Sequence, residues 1–420
     1  MNKLMRPFFI FCLLFVCLYN SNALSAQCYF DDLLPEEQQS LIDLYNATDG
    51  DNWTNNYGWL DTNVPLEDWD GIITDTNCHI VNIWLMQNGL SGTIPNTLNL
   101  PYLLTMHFDY NQLNGSVPDF TNLPNLQQFS LANNQLSGNI PNFTNLPNLQ
   151  KLYLIGNQLS GNIPNFTNLP NLTTLYLTNN QLSGNIPNFT NLPNLQWLNL
   201  VNNQLSGNIP NFTNLPNLQY LYLSNNQLSG SIPNFTNLPY LQNLYLDNNQ
   251  LSGNIPNFTL NLQELNLSHN QLSGNILNFT NLSALQYLYA NNNQLSSNIP
   301  NFTNLPNLQQ FYLNNNQLSG NIPNFTNLPN LQQFYLNNNQ LSGSIPDFTS
   351  LPNLGGLYLN NNQLSGNIPN FTNLPNLSNL VVCPGNNLGG FIPNFANCPF
   401  LNVNAMDFSC VRSVHLIGTA

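Results

Sequence analysis

The chain repeats one phrase at a fixed interval. An Ile-Pro step recurs at Ile94, Ile140, Ile163, Ile186, Ile209, Ile232 and Ile255, with Val117 in the same place once, each 23 residues after the last. One step of 21 reaches Ile276, where Leu277 stands in place of the proline. Steps of 23 resume through Ile299, Ile322, Ile345 and Ile368, and a step of 24 ends at Ile392. A fixed short period is the signature of a solenoid, in which each unit touches only its neighbours. No coil of 23 residues can enclose a core of its own. Stacked coils can, because each apolar side chain buried between neighbours contributes roughly 1.5–3 kcal/mol.

The stretch "LQKLYLIGNQLSGNIPNFTNLPN" from Leu149 shows the logic of one coil. Leu152 and Leu154 alternate with Lys151, Tyr153 and Ile155, the period of a half-buried strand. Asn157 follows where the chain must turn, and its amide suits buried backbone groups of adjacent coils. The same asparagine recurs at Asn88, Asn111, Asn180, Asn249, Asn316 and Asn386. Leu159, Ile163, Phe166 and Leu169 are expected to point inward. Gly161 permits a bend, Pro164 fixes φ, and Pro170 discourages a helix on the return path. The expected architecture is a mainly β solenoid of about fourteen coils, with a parallel sheet lining the concave face and a cap at each end.

These residues resemble the leucine-rich repeat family. Its pattern LxxLxLxxNxL is met by Leu149, Leu152, Leu154, Asn157 and Leu159, and again in most other coils. The LSGxIP tail is similar to the plant-type subclass, which implies a second short sheet formed around that segment. The stretch "LIDLYNATDGDNWTNNYGW", followed by Trp69, Asp70, Gly71 and Ile72, resembles the N-terminal caps of secreted bacterial proteins of this family. The resemblance implies protein or glycan partners.

Residues 1–26 read as a secretory signal peptide: Lys3 and Arg6, then an apolar run from Phe8 to Tyr19, then small residues up to Ala26. Residues 27–80 read as the N-terminal cap, 81–401 as the solenoid and 402–420 as the C-terminal cap or tail. Beyond the leader the cysteines are Cys28, Cys78, Cys383, Cys398 and Cys410, all near the two ends. An exported chain with this distribution is expected to staple its caps with disulfides. Cys28 and Cys78 form one plausible pair, and two of the last three form another, leaving one thiol over. The localisation expected is secreted or cell surface.

Only 5% of the chain is charged, with 18 acidic against 4 basic residues. The missing basic patches argue against nucleic acid and anionic membrane surfaces. No stretch after the leader is apolar enough to span a bilayer, so membrane insertion is not expected. His79, His107, His269 and His415 fall in no catalytic or metal-ligating arrangement, so neither enzyme activity, nor a metal, nor a cofactor is expected. "TDGDNW" at Thr48 lacks EF-hand spacing and reads as the turn that ends a helix from about Pro35 to Tyr45.

Variation among the copies points to a face. One free column runs Gln128, Lys151, Thr174, Trp197, Tyr220, Asn243, Glu264, Tyr287, Gln310. A second runs Ile155, Thr178, Val201, Ser224, Asp247, Ser268, Asn291. Between them lies an aromatic column: Tyr153, Tyr176, Tyr222, Tyr245, Tyr289, Tyr312, Tyr335 and Tyr358, interrupted by Asn199 and Asn266. Strand alternation puts all three on the concave side. Identical tyrosines on parallel strands can simply stack. Aromatics among amides also make a recognition surface. The expected function is non-enzymatic binding of an extracellular protein or glycan by a monomer. The expected contacts are Lys151, Tyr153, Tyr176, Trp197, Tyr220, Tyr222, Tyr245, Asp247, Tyr287, Tyr289 and Tyr312. The constant "NFT" supports a second expectation, ice binding by regular Asn and Thr rows such as Asn142 and Thr144. The same tripeptide is a glycosylation sequon in a eukaryotic secretory pathway. The irregular residues Leu277, Ala290 and Ser297 predict the least regular coils around 258–300.

Overall fold

The computed structural model describes residues 27–393, 395, 398–402 and 406–412. The leader read at residues 1–26, and most of the C-terminal tail, lie outside the described residues. Two long sheets run the length of the molecule. The first is 15-stranded. It opens with an antiparallel pair, Ile72–Thr74 against Ile80–Trp84, and every later strand is parallel to its neighbour. From Asn82 to Asn379 the register advances by 23 residues per coil, except for one advance of 21 from Asn243 to Glu264. The second, 13-stranded sheet is built from the LSGxIP segments from Ser137 onward and ends on Val411–Arg412, while the first two such segments, Ser91–Thr93 and Gln112–Asn114, pair apart from it. The solenoid and its second sheet are therefore both present.

Leu152, Leu154, Leu159, Phe166 and Leu169 have no exposed surface, and Ile163 has almost none. Asn157 ties its own coil to the one before it. Its Nδ2 donates to the Leu131 carbonyl of the previous coil at 2.9 Å and to its own coil's Leu154 carbonyl at 3.3 Å. Its Oδ1 accepts from the Leu136 N–H at 3.1 Å. The same set repeats at Asn180, Asn203 and Asn226. At the N-terminal end, Asn88 turns the ladder onto the cap by exchanging hydrogen bonds with the Asn55 backbone.

A second amide ladder lies outside, and sequence reading missed it. Asn148, Asn171, Asn194 and Asn217, from the NLPN stretch, each donate to the proline carbonyl one coil back, at 2.9–3.0 Å. Asn142 donates to the Thr167 hydroxyl at 3.0 Å and accepts from its N–H at 3.3 Å. The constancy of the NLPN asparagine thus has a packing cause, whereas the Asn142 bridge recurs only at Asn278 and Thr303 among the described residues. Amides bridge neighbouring coils on the outer side as well as in the core.

The phenylalanine of NFT is also unusual. Phe143, Phe166, Phe189 and Phe212 all hold φ of +48° to +49°. A bulky residue in the left-handed region costs about 1–2 kcal/mol. Complete burial of the ring, stacked 6.4–6.5 Å from the next, offsets that cost. At the shortened coil, both sheets continue unbroken through Gln250–Gly253 and Glu264–Asn266. Among the described rings, Phe258 contacts neither Phe235 nor Phe279. The irregularity stays on the outer side. Ser297 still adopts φ +70° where other coils have glycine, and Ala290 is buried in place of a leucine.

The cap carries helix α1, Pro35–Ala47, two residues longer than the sequence suggested. Thr48 closes it with a hydroxyl bond to the Leu44 carbonyl at 2.6 Å. Trp53, Trp59, Trp69, Phe30 and Tyr45 form one ring cluster over the first coil. Glu37 is fully buried and accepts from the Ile80 N–H at 3.1 Å, tying α1 to the first coil strand. Among the described residues the disulfides are Cys28–Cys78 and Cys383–Cys410, and Cys398 is the free, buried thiol. Among the described residues no group of three or more His, Cys, Asp or Glu could hold a metal ion. Among them no helix is long and apolar enough to cross a membrane.

Candidate functional site: the concave aromatic ribbon

Each concave strand is three residues long in most coils, with its middle residue buried. The outer two therefore face the concavity side by side. Register places Lys151, Thr174, Trp197, Tyr220, Asn243, Glu264 and Tyr287 in one column. It places Tyr153, Tyr176, Asn199, Tyr222, Tyr245, Asn266, Tyr289 and Tyr312 in the next. Trp84, at the N-terminal end of that row, is exposed and donates to the Thr105 hydroxyl at 2.7 Å.

The rings pack on one another. Tyr153 meets Tyr176 edge-on at 5.4 Å, Trp197 stacks on Tyr220 at 3.5 Å, and Tyr222 meets Tyr245 at 5.0 Å. Tyr289 meets Tyr312 at 4.9 Å, Tyr312 meets Tyr335 at 4.3 Å, and Tyr335 stacks on Tyr358 at 4.1 Å. Stacking and exposure coexist. Lys151, Tyr153, Tyr176, Trp197, Tyr220, Tyr245, Asp247, Tyr287, Tyr289 and Tyr312 are half-buried, each offering part of its surface to the concavity. Tyr222 is only 9% exposed, wedged between its neighbours, so its ring supports the ribbon more than it faces outward. The sequence could not separate Tyr222 from the other tyrosines, because it differs from them only in what lies beside it.

Polar groups line the same face. The Tyr289 hydroxyl donates to Gln310 Oε1 at 2.8 Å, and that of Tyr245 donates to the Glu264 carboxylate. Ser224 donates to Asp247, and Ser130 to Asp109. His107 Nδ1 lies 3.7 Å from Asp109 Oδ2.

Burial among the rings pushes the Tyr153 phenol up to about 12, with the nearby Asp109 charge adding to the effect. Burial likewise raises Tyr176, Tyr222, Tyr245 and Tyr289. A raised phenol keeps its proton in the folded chain when the unfolded chain would lose it. Stability from this source is complete below the ordinary phenol value near 10 and falls as pH rises through the folded values. We expect the thermal midpoint to fall steeply between pH 10 and 12. Absorbance of these phenolates should then appear with unfolding, whereas titration near pH 10 in a chain that remains folded would contradict the packed ribbon.

Comparison with known proteins places this geometry. The family model described as Leucine Rich repeats (2 copies) matches residues 124–168, 147–191, 193–229, 216–259, 283–327, 306–353 and 329–365. The Leucine Rich Repeat model matches residues 261–282. No curated protein matches the chain significantly. Among solved structures, the plant peptide hormone receptor RGFR1 in complex with RGF2 is 34% identical, with a TM-score of 0.70 over 79% of this chain and 59% of the receptor. The chain thus spans 59% of the length of that receptor chain. A leucine-rich repeat protein of Leptospira interrogans is 29% identical, with a TM-score of 0.61 over 74% of this chain and 81% of its own. A plant ice-binding protein is 30% identical, with a TM-score of 0.54 over 71% of this chain and 90% of its own. With family matches spread over more than half of its length, two solenoid sheets and a repeating asparagine ladder, the chain belongs to the leucine-rich repeat family.

Proposed function

We propose that the protein is a secreted or surface-held, monomeric, non-enzymatic binding protein, and that its concave ribbon takes an extended polypeptide. The observation that carries the proposal is the ribbon itself. Half-exposed Trp and Tyr side chains converge with amides and carboxylates on the one face where the copies differ most. Preordered rings bury much area on binding and lose little side-chain entropy. The solved receptors of similar architecture include ones titled as complexes with peptide hormones. Two disulfides fit an oxidising compartment.

Replacing both Trp197 and Tyr220 with Ala removes the tightest ring stack on the face. This double variant should weaken a bound peptide at least about 100-fold, as loss of a central aromatic anchor does, with little change in the melting midpoint. Tyr222 is unsuitable for this test, since its burial makes loss of stability part of the outcome. Titration calorimetry on peptides selected from a random library measures the effect. Unchanged affinity in the double variant would assign binding to another face, and a glycan array probed in parallel would expose a sugar partner.

One observation favours ice binding as a second reading. Thr167, Thr190 and Thr213, with Asn168, Asn191 and Asn214, line a shallow outer groove one coil apart, and one similar structure is titled an ice-binding protein. Curvature weighs against it. Phenylalanine rings under the outer rows are spaced 6.1–6.5 Å, against 4.1–5.4 Å for the concave tyrosine pairs, so the outer face is spread into an arc. Thermal hysteresis that is lost in the Thr167/Thr190/Thr213→Val variant would favour this reading.

A further inference from the structure

The aromatic ribbon is broken once. Ring contacts form one chain from Tyr153 through Tyr176, Trp197, Tyr220 and Tyr222 to Tyr245. A second chain runs from Tyr287 through Tyr289, Tyr312 and Tyr335 to Tyr358. Among the described residues no ring contact joins the two chains. The break falls on the strand Glu264–Asn266. There Glu264 sits between Asn243 and Tyr287 in one column, and Asn266 between Tyr245 and Tyr289 in the other. Asn266 does not fill the space of a ring. Its Oδ1 folds back to accept from the Ser268 N–H at 3.2 Å.

Glu264 is the one carboxylate within the strands of the concave sheet. It is half-buried, and its Oε2 accepts from the Tyr245 hydroxyl. Its charge also bears on the phenols of Tyr222 and Tyr289, which places it near rings of both chains. The ion pairs among the described residues are His79–Glu37 and His107–Asp109, so Glu264 has no cationic partner among them. A partly desolvated carboxylate gains more from a cation than one in open water does. Aromatic faces around it add their own attraction for a cation. The chain as a whole carries a net charge of −14, which favours a partner with basic groups.

We propose that the break at Glu264 is a subsite for one Lys or Arg side chain of the polypeptide that lies along the concave face. The proposal rests on the reading of that face as a polypeptide-binding surface. The backbone of the ligand would follow the column of rings. Its basic side chain would enter between Tyr245 and Tyr287, with the ammonium or guanidinium against the Glu264 carboxylate.

A library of random linear peptides selected against the purified chain tests the proposal. Selected peptides are expected to share one basic position. Citrulline in place of Arg, or norleucine in place of Lys, should weaken binding at least about 10-fold, and Glu264→Gln should do the same. The two changes combined should cost no more than either alone, since each removes the same contact. Gln at 264 can still accept the Tyr245 hydroxyl, so the variant should melt with the parent chain. Peptides that depend on Trp197 and Tyr220, yet carry no basic position or bind the Glu264→Gln variant equally well, would overturn the subsite and leave the function standing. A library that yields no binder would overturn both.

Discussion

Asn203→Leu should destabilise the protein by about 2–5 kcal/mol although it replaces a polar residue with an apolar one of similar size. The Asn203 amide is 9% exposed. Its Nδ2 donates to the carbonyls of Leu177 at 3.0 Å and Leu200 at 3.1 Å. Its Oδ1 accepts from the Leu182 N–H at 3.1 Å. The two carbonyls keep a second donor each, from Asn180 and Asn226. The Leu182 N–H loses the Asn203 acceptor inside the core. One buried donor left unpaired costs about 1–3 kcal/mol, and each weakened carbonyl adds a smaller amount. Because coils stack in one dimension, the damage should open locally first. Hydrogen exchange at Leu182 should accelerate well before the ends of the solenoid respond. The outer ladder supplies the control. Asn194 is exposed and donates only to the Pro170 carbonyl, at 2.9 Å, so Asn194→Ala should cost less than about 1 kcal/mol. Equal losses at the two positions would refute the division between a buried structural ladder and an outer, dispensable one.

Removal of the Cys28–Cys78 disulfide, as the Cys28→Ser/Cys78→Ser pair, should destabilise the cap by about 4 kcal/mol on the chain-entropy model. The bond joins residues 50 apart. Between them lie α1, the ring cluster and the antiparallel strand Ile72–Thr74, all of which cover the open end of the first coil. Once the cap loosens, Ile80 and Ile83, both fully buried, lose their cover. Calorimetry should show an early transition that the parent chain lacks, and reductant should reproduce it in the parent. A double-serine chain that melts within about 2 °C of the parent would mean that the Trp cluster and Glu37 hold the cap without help from the covalent bond.

Much of the architecture was legible because it is periodic. Leu152, Leu154, Ile163 and Phe166 are inward for the same reason in every coil, so one coil read correctly was the whole solenoid read correctly. The turn asparagine was legible for its chemistry: one amide carries two N–H donors beside an acceptor oxygen, so a single short side chain can serve two carbonyls and an N–H at one buried site. The left-handed phenylalanines were not legible, since nothing in "NFT" marks a backbone that bulky residues avoid. The outer ladder of Asn148 and Asn171 was missed because exposed asparagines look alike whether or not they bridge coils.

By itself the sequence determined the stacking unit, its inward residues and the polarity of its turns, because those depend on neighbours within one coil or the next. Only the tertiary structure decided that Cys383 pairs with Cys410, that Tyr222 is buried while Tyr220 is half-exposed, and that the ring chain stops at Glu264. Those outcomes depend on how coils lean together across an arc. The curve draws concave neighbours closer than outer ones, and no spacing along the chain records it.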